Sequence, residues 1–392
     1  MDTEHRGRQQ EQLLLDHGII NRVPTIRSSD FGSVLSDPFR YYLRNRLGLG
    51  DPFRYSQALS HGSWFHAAFE YVGDSQAIRL NKVETRLGER LNDLQDLCIK
   101  HNKTIQFQTD LFEREAHDAR SAAVWLDAVL DLPLQDMGDR SLREYLMRPN
   151  LKVLGHELTV AVESPISRDG QPLLHVAQFD RLDWNEKENT LWVRDPKTTS
   201  ISPLLRALKV PIEFQTQHYL NVLSRAIPML VKEFGLPEDV RVGGMSHIIV
   251  RKPTIRFGRN DRNPETGVPD AEIYRARVTD WYLARGQYES KAAEWHSDPP
   301  INISTVKGQP FLEGPRHDEY MRRVEYLERF AAQPAWPTEF MKNPDSLEMF
   351  GQKNPYADFY LTDVEAWPQI IAEKGWIQSW RDPHNLKKGI YL

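Results

Sequence analysis

The sequence predicts an α/β protein with a mostly helical N-terminal elaboration. Three observations carry this. Apolar residues recur at helical spacing through residues 28–150. From Leu151 the pattern changes to alternation over three short segments. A helical pattern then returns over 211–235 and is followed by a further apolar strand, Met245 to Arg251. Helices, a strand meander, a helix and a strand in that order imply a sheet flanked by helices.

Each element has a local reason. Ser28, Ser29 and Asp30 are capping residues before a first helix. Pro38 suits the first turn of the next, which carries Phe39, Tyr42, Leu43 and Leu47 on one stripe. Leu59, Phe65, Ala68, Phe69 and Val72 form a stripe over 56–72, and 75–100 and 110–130 repeat the pattern. Leu151 to Val162, Leu173 to Trp184 and Thr190 to Thr198 read as strands. The polar turn Asn185 to Asn189 makes the last two a hairpin. Pro211 opens the helix 211–235, and 271–296 and 315–332 are further helices. Beyond Pro334 the chain is rich in Pro, Asn and aromatic residues and is expected to wrap the core. The expected organisation is one composite domain. It comprises an extension (1–27), a helical region (28–150), a core (151–300) and a C-terminal helix with wrapping segment (301–392).

Composition narrows the function classes. The 392 residues carry 50 Lys and Arg against 55 Asp and Glu, a formal charge of −5. With 40% apolar and 27% charged residues, the chain is globular rather than disordered. No apolar run approaches a bilayer span, and the polar start is not a secretory signal, so a cytoplasmic location without membrane contact is expected. The single cysteine, Cys98, excludes internal disulfides and cysteine-held zinc or iron–sulfur centres. It reads as a buried helical thiol. No GxxxxGK[ST] phosphate loop, HExxH or GxSxG motif occurs. A helicase motor would therefore have to come from another polypeptide.

The chemistry concentrates in Val176 to Trp184 and Leu191 to Thr199. Alternation puts Asp195 and Lys197 on one face of their strand, and the hairpin can bring Asp180 beside them. Two carboxylates at a sheet edge suit a hard cation such as Mg²⁺, and an adjacent lysine can orient water and offset phosphorane charge. Taken alone, Asp195 and Lys197 read more readily as a solvated strand-end pair than as a catalytic one. Asp183 reads as an exposed partner of Arg181. Downstream, Arg251, Lys252, Arg256, Arg259 and Arg262 lie within twelve residues that contain one acid. Such a stretch is a solvated loop or a track for a phosphate backbone.

These residues resemble the PD-(D/E)XK nuclease superfamily, and most closely its RecB-like branch of phage-type exonucleases and CRISPR-adaptation nucleases. Asp180 matches the first acid of Gly-x-x-Asp, with Ala177 in place of the glycine. Asp195-Pro196-Lys197 matches Asp-x-Lys, and Gln215 to Tyr219 matches Gln-x-x-x-Tyr. Gly62 to His66 resembles the motif of a metal-binding histidine, and Glu157 matches a glutamate that opens the core. The resemblance implies a restriction-endonuclease-like core with a central mixed β-sheet. It further implies Mg²⁺ or Mn²⁺ on His66, Glu157, Asp180 and Asp195, with Lys197 catalytic and Gln215 and Tyr219 orienting the lysine and the DNA.

Many RecB-like relatives join their termini through a four-cysteine iron–sulfur cluster. Here Asp37 stands at the first cysteine position, and Leu347, Asn354 and Tyr360 at the C-terminal ones. One cysteine cannot hold that cluster, so packing and polar contacts are expected to replace it. The implied activity is exonucleolytic DNA hydrolysis in phage or bacterial recombination, replication or repair, with a separate helicase or recombination protein as partner. A catalytically silent DNA-binding or assembly protein, an endonuclease and an RNA-processing enzyme remain open on the same motif.

Overall fold

The computed structural model describes residues 3–18, 25–50, 53, 57–132, 134, 140–168, 171–267, 270–283, 300–332, 348–349, 352–374, 376–378 and 389–391. The N-terminal elements are α1 (Thr3–Asp16), β1 (Thr25–Arg27), α2 (Asp30–Ser36), α3 (Pro38–Tyr41), β2 (Leu49–Gly50), α4 (Gln57–Phe69), α5 (Gln76–Lys100), α6 (Ile105–Leu130) and α7 (Leu142–Leu146). Three of these N-terminal helices open on a hydroxyl cap. Ser75 accepts from the Ile78 amide, Thr104 from that of Phe107, and Ser141 forms a capping box with Glu144.

The core follows as β3 (Leu151–Arg168), β4 (Gln171–Asn185), β5 (Thr190–Thr199), α8 (Pro203–Ala207), α9 (Phe214–Phe234), β6 (Arg241–Arg251), α10 (Ala271–Leu283), β7 (Ile301–Lys307) and α11 (Pro315–Ala332). β3 to β7 lie in sequence order in one sheet, with strand Gly389–Tyr391 parallel beside β3. β3, β4 and β5 are an antiparallel meander. β5 and β6 are parallel, joined over α8 and α9, and β7 returns antiparallel to β6. The sheet is therefore mixed. Two extensions of the sheet, β1 and β7, are too short or too polar to stand out as alternation. Pro211 does not open α9: it sits in a 3₁₀ turn, and Glu213 at φ −67°, ψ 133° delays the helix to Phe214. Of the expected helix 271–296, only the part ending at Leu283 falls on described residues.

Both faces of the sheet are covered. On one, Val160, Leu182 and Val193 pack with Leu220 and Leu223 of α9, Leu327 of α11 and Phe39. On the other, Ile248, Val250 and Ile301 pack with Phe65, Phe69, Leu126 and Tyr274. Each such side chain contributes about 1.5–3 kcal/mol on burial. No described helix is long and apolar enough to cross a membrane. Cys98 is buried, as expected.

Asp183 is not exposed. It is buried, with Oδ1 2.6 Å from Arg181 Nε and Oδ2 3.2 Å from Arg194 Nε. Arg194 also donates to the Tyr145 hydroxyl (2.7 Å) and Ser246 Oγ (2.8 Å). Two guanidinium groups make this interior position tolerable for a carboxylate.

The chain ends meet near α3. Asp37 caps α3 through the Arg40 amide and accepts a hydrogen bond from the Tyr360 hydroxyl. Asn354 lies within hydrogen-bond reach of the same hydroxyl. Leu347 lies outside the described residues.

One irregularity positions the site. β4 pairs with β5 over Arg181 to Asn185 and with β1 over Leu174 to Val176, on the edge away from β3. Residues 177–180 lie between these two pairings, in a fork.

Candidate active site

Asp180 occupies that fork. The β4–β5 hairpin sets its carboxyl group in hydrogen-bonding contact with that of Asp195. Asp195 is fully buried. Its Oδ1 is 2.9 Å from Lys197 Nζ, and its Oδ2 is 2.7 Å from His247 Nδ1. The parallel register of β5 and β6 places His247 opposite Asp195. The other ring nitrogen of His247 lies 3.0 Å from Thr216 Oγ1 on α9.

α4 brings His66 to the same place, with Nδ1 3.1 Å from Asp180 Oδ1. Glu157 comes from β3 and accepts a hydrogen bond from Gln178 Nε2 (2.6 Å). Ligand atoms of His66, Glu157 and Asp180 all lie within 4.8 Å of one another. Glu157 has φ +50°, a left-handed conformation inside a strand that costs about 1–3 kcal/mol in a non-glycine residue.

The charges are tightly coupled. Burial pushes Asp180 up to about 7; His66 works against this and the neighbouring Asp195 carboxylate adds to it. Asp195 shifts the other way: burial raises it, but Lys197 and His247 outweigh burial and hold it well below the usual carboxylate range. Burial pulls the Lys197 ammonium down, yet Asp195 and Asp180 keep it above its ordinary value. His66 is likewise raised, burial opposing and Asp180 prevailing. Lys197 therefore enters the site as a cation.

Gln215 and Tyr219 share a face of α9, and the Tyr219 hydroxyl has hydrogen-bonding contacts with the Gln215 and Ser28 side chains. Its ring packs edge-on against Phe179 at 5.4 Å between centroids. Burial and the fields of Asp180 and Asp195 push its phenol upward. Five of the expected residues, Asp180, Asp195, Lys197, His66 and Glu157, thus converge, and Tyr219 stands beside them.

The basic stretch is less uniform. Arg251 and Lys252 are half-buried at the end of β6, while Arg256 and Arg262 are exposed. Burial lowers the Lys252 ammonium, the charge of Asp118 opposing it, and Arg262 donates to the Gly267 carbonyl (3.1 Å). Arg259 opens a short 3₁₀ turn.

The donor set fits a divalent cation. Both Asp195 oxygens are buried and their ion-pair contacts lack hydrogen-bond alignment. Beside them, burial and the neighbouring Asp195 carboxylate push Asp180 toward its protonated form. A small hard cation with oxygen ligands would relieve both.

The sequence profile of the PD-(D/E)XK nuclease superfamily matches residues 29–306. The chain belongs to the PD-(D/E)XK nuclease superfamily. A search of curated proteins gave no match. Membership of the PD-(D/E)XK superfamily suggests a phosphodiesterase with a nucleic-acid substrate, and divalent metals are typical of the superfamily. The restriction-endonuclease-like architecture agrees with the mixed sheet and its flanking helices.

Sequence reasoning missed His247, Thr216, Gln178 and Ser28. For His247 the available signal was one ionisable residue inside the apolar strand Met245 to Val250. Its pairing with Asp195 depends on a parallel register that the sequence does not display.

Proposed function

We propose that this PD-(D/E)XK protein is a Mg²⁺- or Mn²⁺-dependent deoxyribonuclease of the RecB-like branch, an exonuclease hydrolysing phosphodiester bonds from DNA ends. The observation that carries the reading is the convergence of Asp180, Asp195 and Lys197 with His66 and Glu157 in the fork of the sheet. Asp180 and Asp195, with His66 and Glu157, would hold the metal. Such an ion supplies Lewis-acid polarisation of the phosphate and of water.

The chain's own groups do the rest. Lys197, held in place by Asp195, donates to the attacking water and offsets charge developing on the phosphorus oxygens. His247 and Thr216 fix the Asp195 carboxylate. Gln215 and Tyr219 form the wall that orients Lys197 and the DNA strand. Arg251, Lys252, Arg256, Arg259 and Arg262 follow the phosphate backbone.

The RecB-like assignment is supported by the order of motifs from His66 to Tyr219, and by the meeting of Asp37, Asn354 and Tyr360 where relatives hold cluster ligands. The proposed setting is recombination, replication or repair in the cytoplasm of a bacterial or phage-infected cell, with a separate helicase or recombination protein.

The test is cleavage of linear and closed-circular DNA with Mn²⁺, Mg²⁺ or EDTA, by wild type and Lys197→Ala. Metal-dependent loss of linear DNA alone, absent in the variant, is expected. Cleavage of circles would move the function to endonuclease. Intact DNA binding without cleavage by wild type would leave a binding or assembly protein.

A further inference from the structure

We propose that His61, His117 and Asp118 form a second metal site, selective for a zinc-type transition ion and separate from the Asp180–Asp195 centre. His61 lies on α4, and His117 and Asp118 lie on α6. His61 Nε2 is 3.1 Å from Asp118 Oδ1, and His117 Nδ1 is 3.5 Å from the same oxygen. One atom from each residue lies within 4.8 Å of the others. Ligands bound to Zn²⁺ at tetrahedral angles sit about 3.3 Å apart, from bonds of about 2.0–2.1 Å. The two measured separations bracket that value.

The proton arrangement supports the same reading. His117 Nε2 lies 3.3 Å from the Phe257 carbonyl oxygen, which can only accept, so Nε2 carries the hydrogen. Nδ1, 3.5 Å from Asp118 Oδ1, is then the ring atom that would bind the ion. A metal-ligating imidazole is typically oriented by such a carbonyl on its other nitrogen. His61 is buried, and its 3.1 Å contact with Asp118 lacks hydrogen-bond alignment. The Trp125 ring packs on the His61 imidazole at 4.7 Å.

Two imidazoles and one carboxylate favour Zn²⁺ over Mg²⁺, which prefers oxygen ligands. The Lys252 ammonium lies within the field of Asp118 and would compete with the ion for it. Through His117 and Phe257, an ion here would tie α4 and α6 to the segment following β6.

The test is a Co²⁺ titration of the full chain, read by the intense visible absorption of four-coordinate Co²⁺, with wild type, His61→Gln, His117→Gln and His66→Gln. One four-coordinate ion per chain, beyond any ion taken up at the Asp180–Asp195 centre, is expected in wild type and in His66→Gln. Affinity should fall about tenfold or more in each of the other two, the scale of losing one ligand-shell partner. A Zn²⁺ X-ray absorption spectrum of wild type needs no variant and should show two imidazoles. Absence of the four-coordinate band, its loss in His66→Gln alone, or fewer than two imidazoles would overturn the site. None of these results depends on DNA cleavage.

Discussion

The Tyr360 hydroxyl donates a hydrogen bond to Asp37 Oδ2, joining residues 323 positions apart. The bond is buried, and Tyr360 also packs edge-on against Phe39 at 4.8 Å. Tyr356 adds a second tie, its hydroxyl donating to the Leu49 carbonyl at 2.8 Å. An N-terminal helix cap and a C-terminal aromatic segment are thereby held together by hydrogen bonds and edge-on ring packing.

A double-mutant cycle tests that joint. Tyr360→Phe and Asp37→Asn should each lower unfolding free energy in urea. Their coupling should be about 1–3 kcal/mol, the cost of stranding a buried partner. Strictly additive losses would show that the contact does not join the ends.

His247 fixes Asp195 from the side opposite Lys197. His247→Asn should weaken Mn²⁺ binding about 10–100-fold while the circular-dichroism spectrum is unchanged. The measurement is a Mn²⁺ titration followed by electron paramagnetic resonance. Wild-type affinity in the variant would remove His247 from the site.

Acid should destabilise the fold through His218. Burial pushes its imidazole down to about 3, although Nε2–H donates to the Val176 carbonyl at 3.1 Å. The other nitrogen accepts from the Tyr320 hydroxyl at 3.1 Å. The folded value lies below the unfolded one, so the stabilisation is full above about pH 6.5 and lost as pH falls toward 3. The slope is about 1.4 kcal/mol per pH unit, or about 2 kcal/mol between pH 6.5 and 5. Unfolding free energies from urea titrations at pH 7.5 and 5 should differ less in His218→Gln than in wild type, by that amount.

Two glycines should respond oppositely to alanine. Gly244 has φ +152°, and a Cβ there would lie 2.3 Å from the Val306 carbonyl oxygen and 2.8 Å from the Trp192 ring. Gly244→Ala should cost about 2–4 kcal/mol by separating β6 from β7. Gly88 is exposed on α5 with open space around it, and Gly88→Ala should stabilise by about 0.5–1 kcal/mol. Thermal unfolding of both variants checks the pair.

Local signals made much of this legible. The hairpin Asp180 to Lys197 could be read because alternation and a polar turn, with Asn189 at φ +49°, fix its register within a few residues. α5 could be read from a one-sided apolar stripe, whereas α6 is buried all round from Ser121 to Leu130. Asp183 misled because a charge in a strand looks solvated, and its second guanidinium comes from the next strand. β1 has three residues and no periodicity of its own. His247 depended on a crossover register, which no local pattern encodes.

The fork in β4 also bears on the order in which the molecule becomes itself. Asp180 and Asp195 arise within one hairpin, which closes a short loop and forms early at little entropic cost. His66 and the Ser28 contact to Tyr219 come from the far side of the long helical region, and β1 reaches β4 only across it. The carboxylate pair is thus a local product, while its histidine and its flanking strand arrive by the slowest closures in the chain. Pairing the acids takes only a short closure, whereas enclosing them takes the long ones.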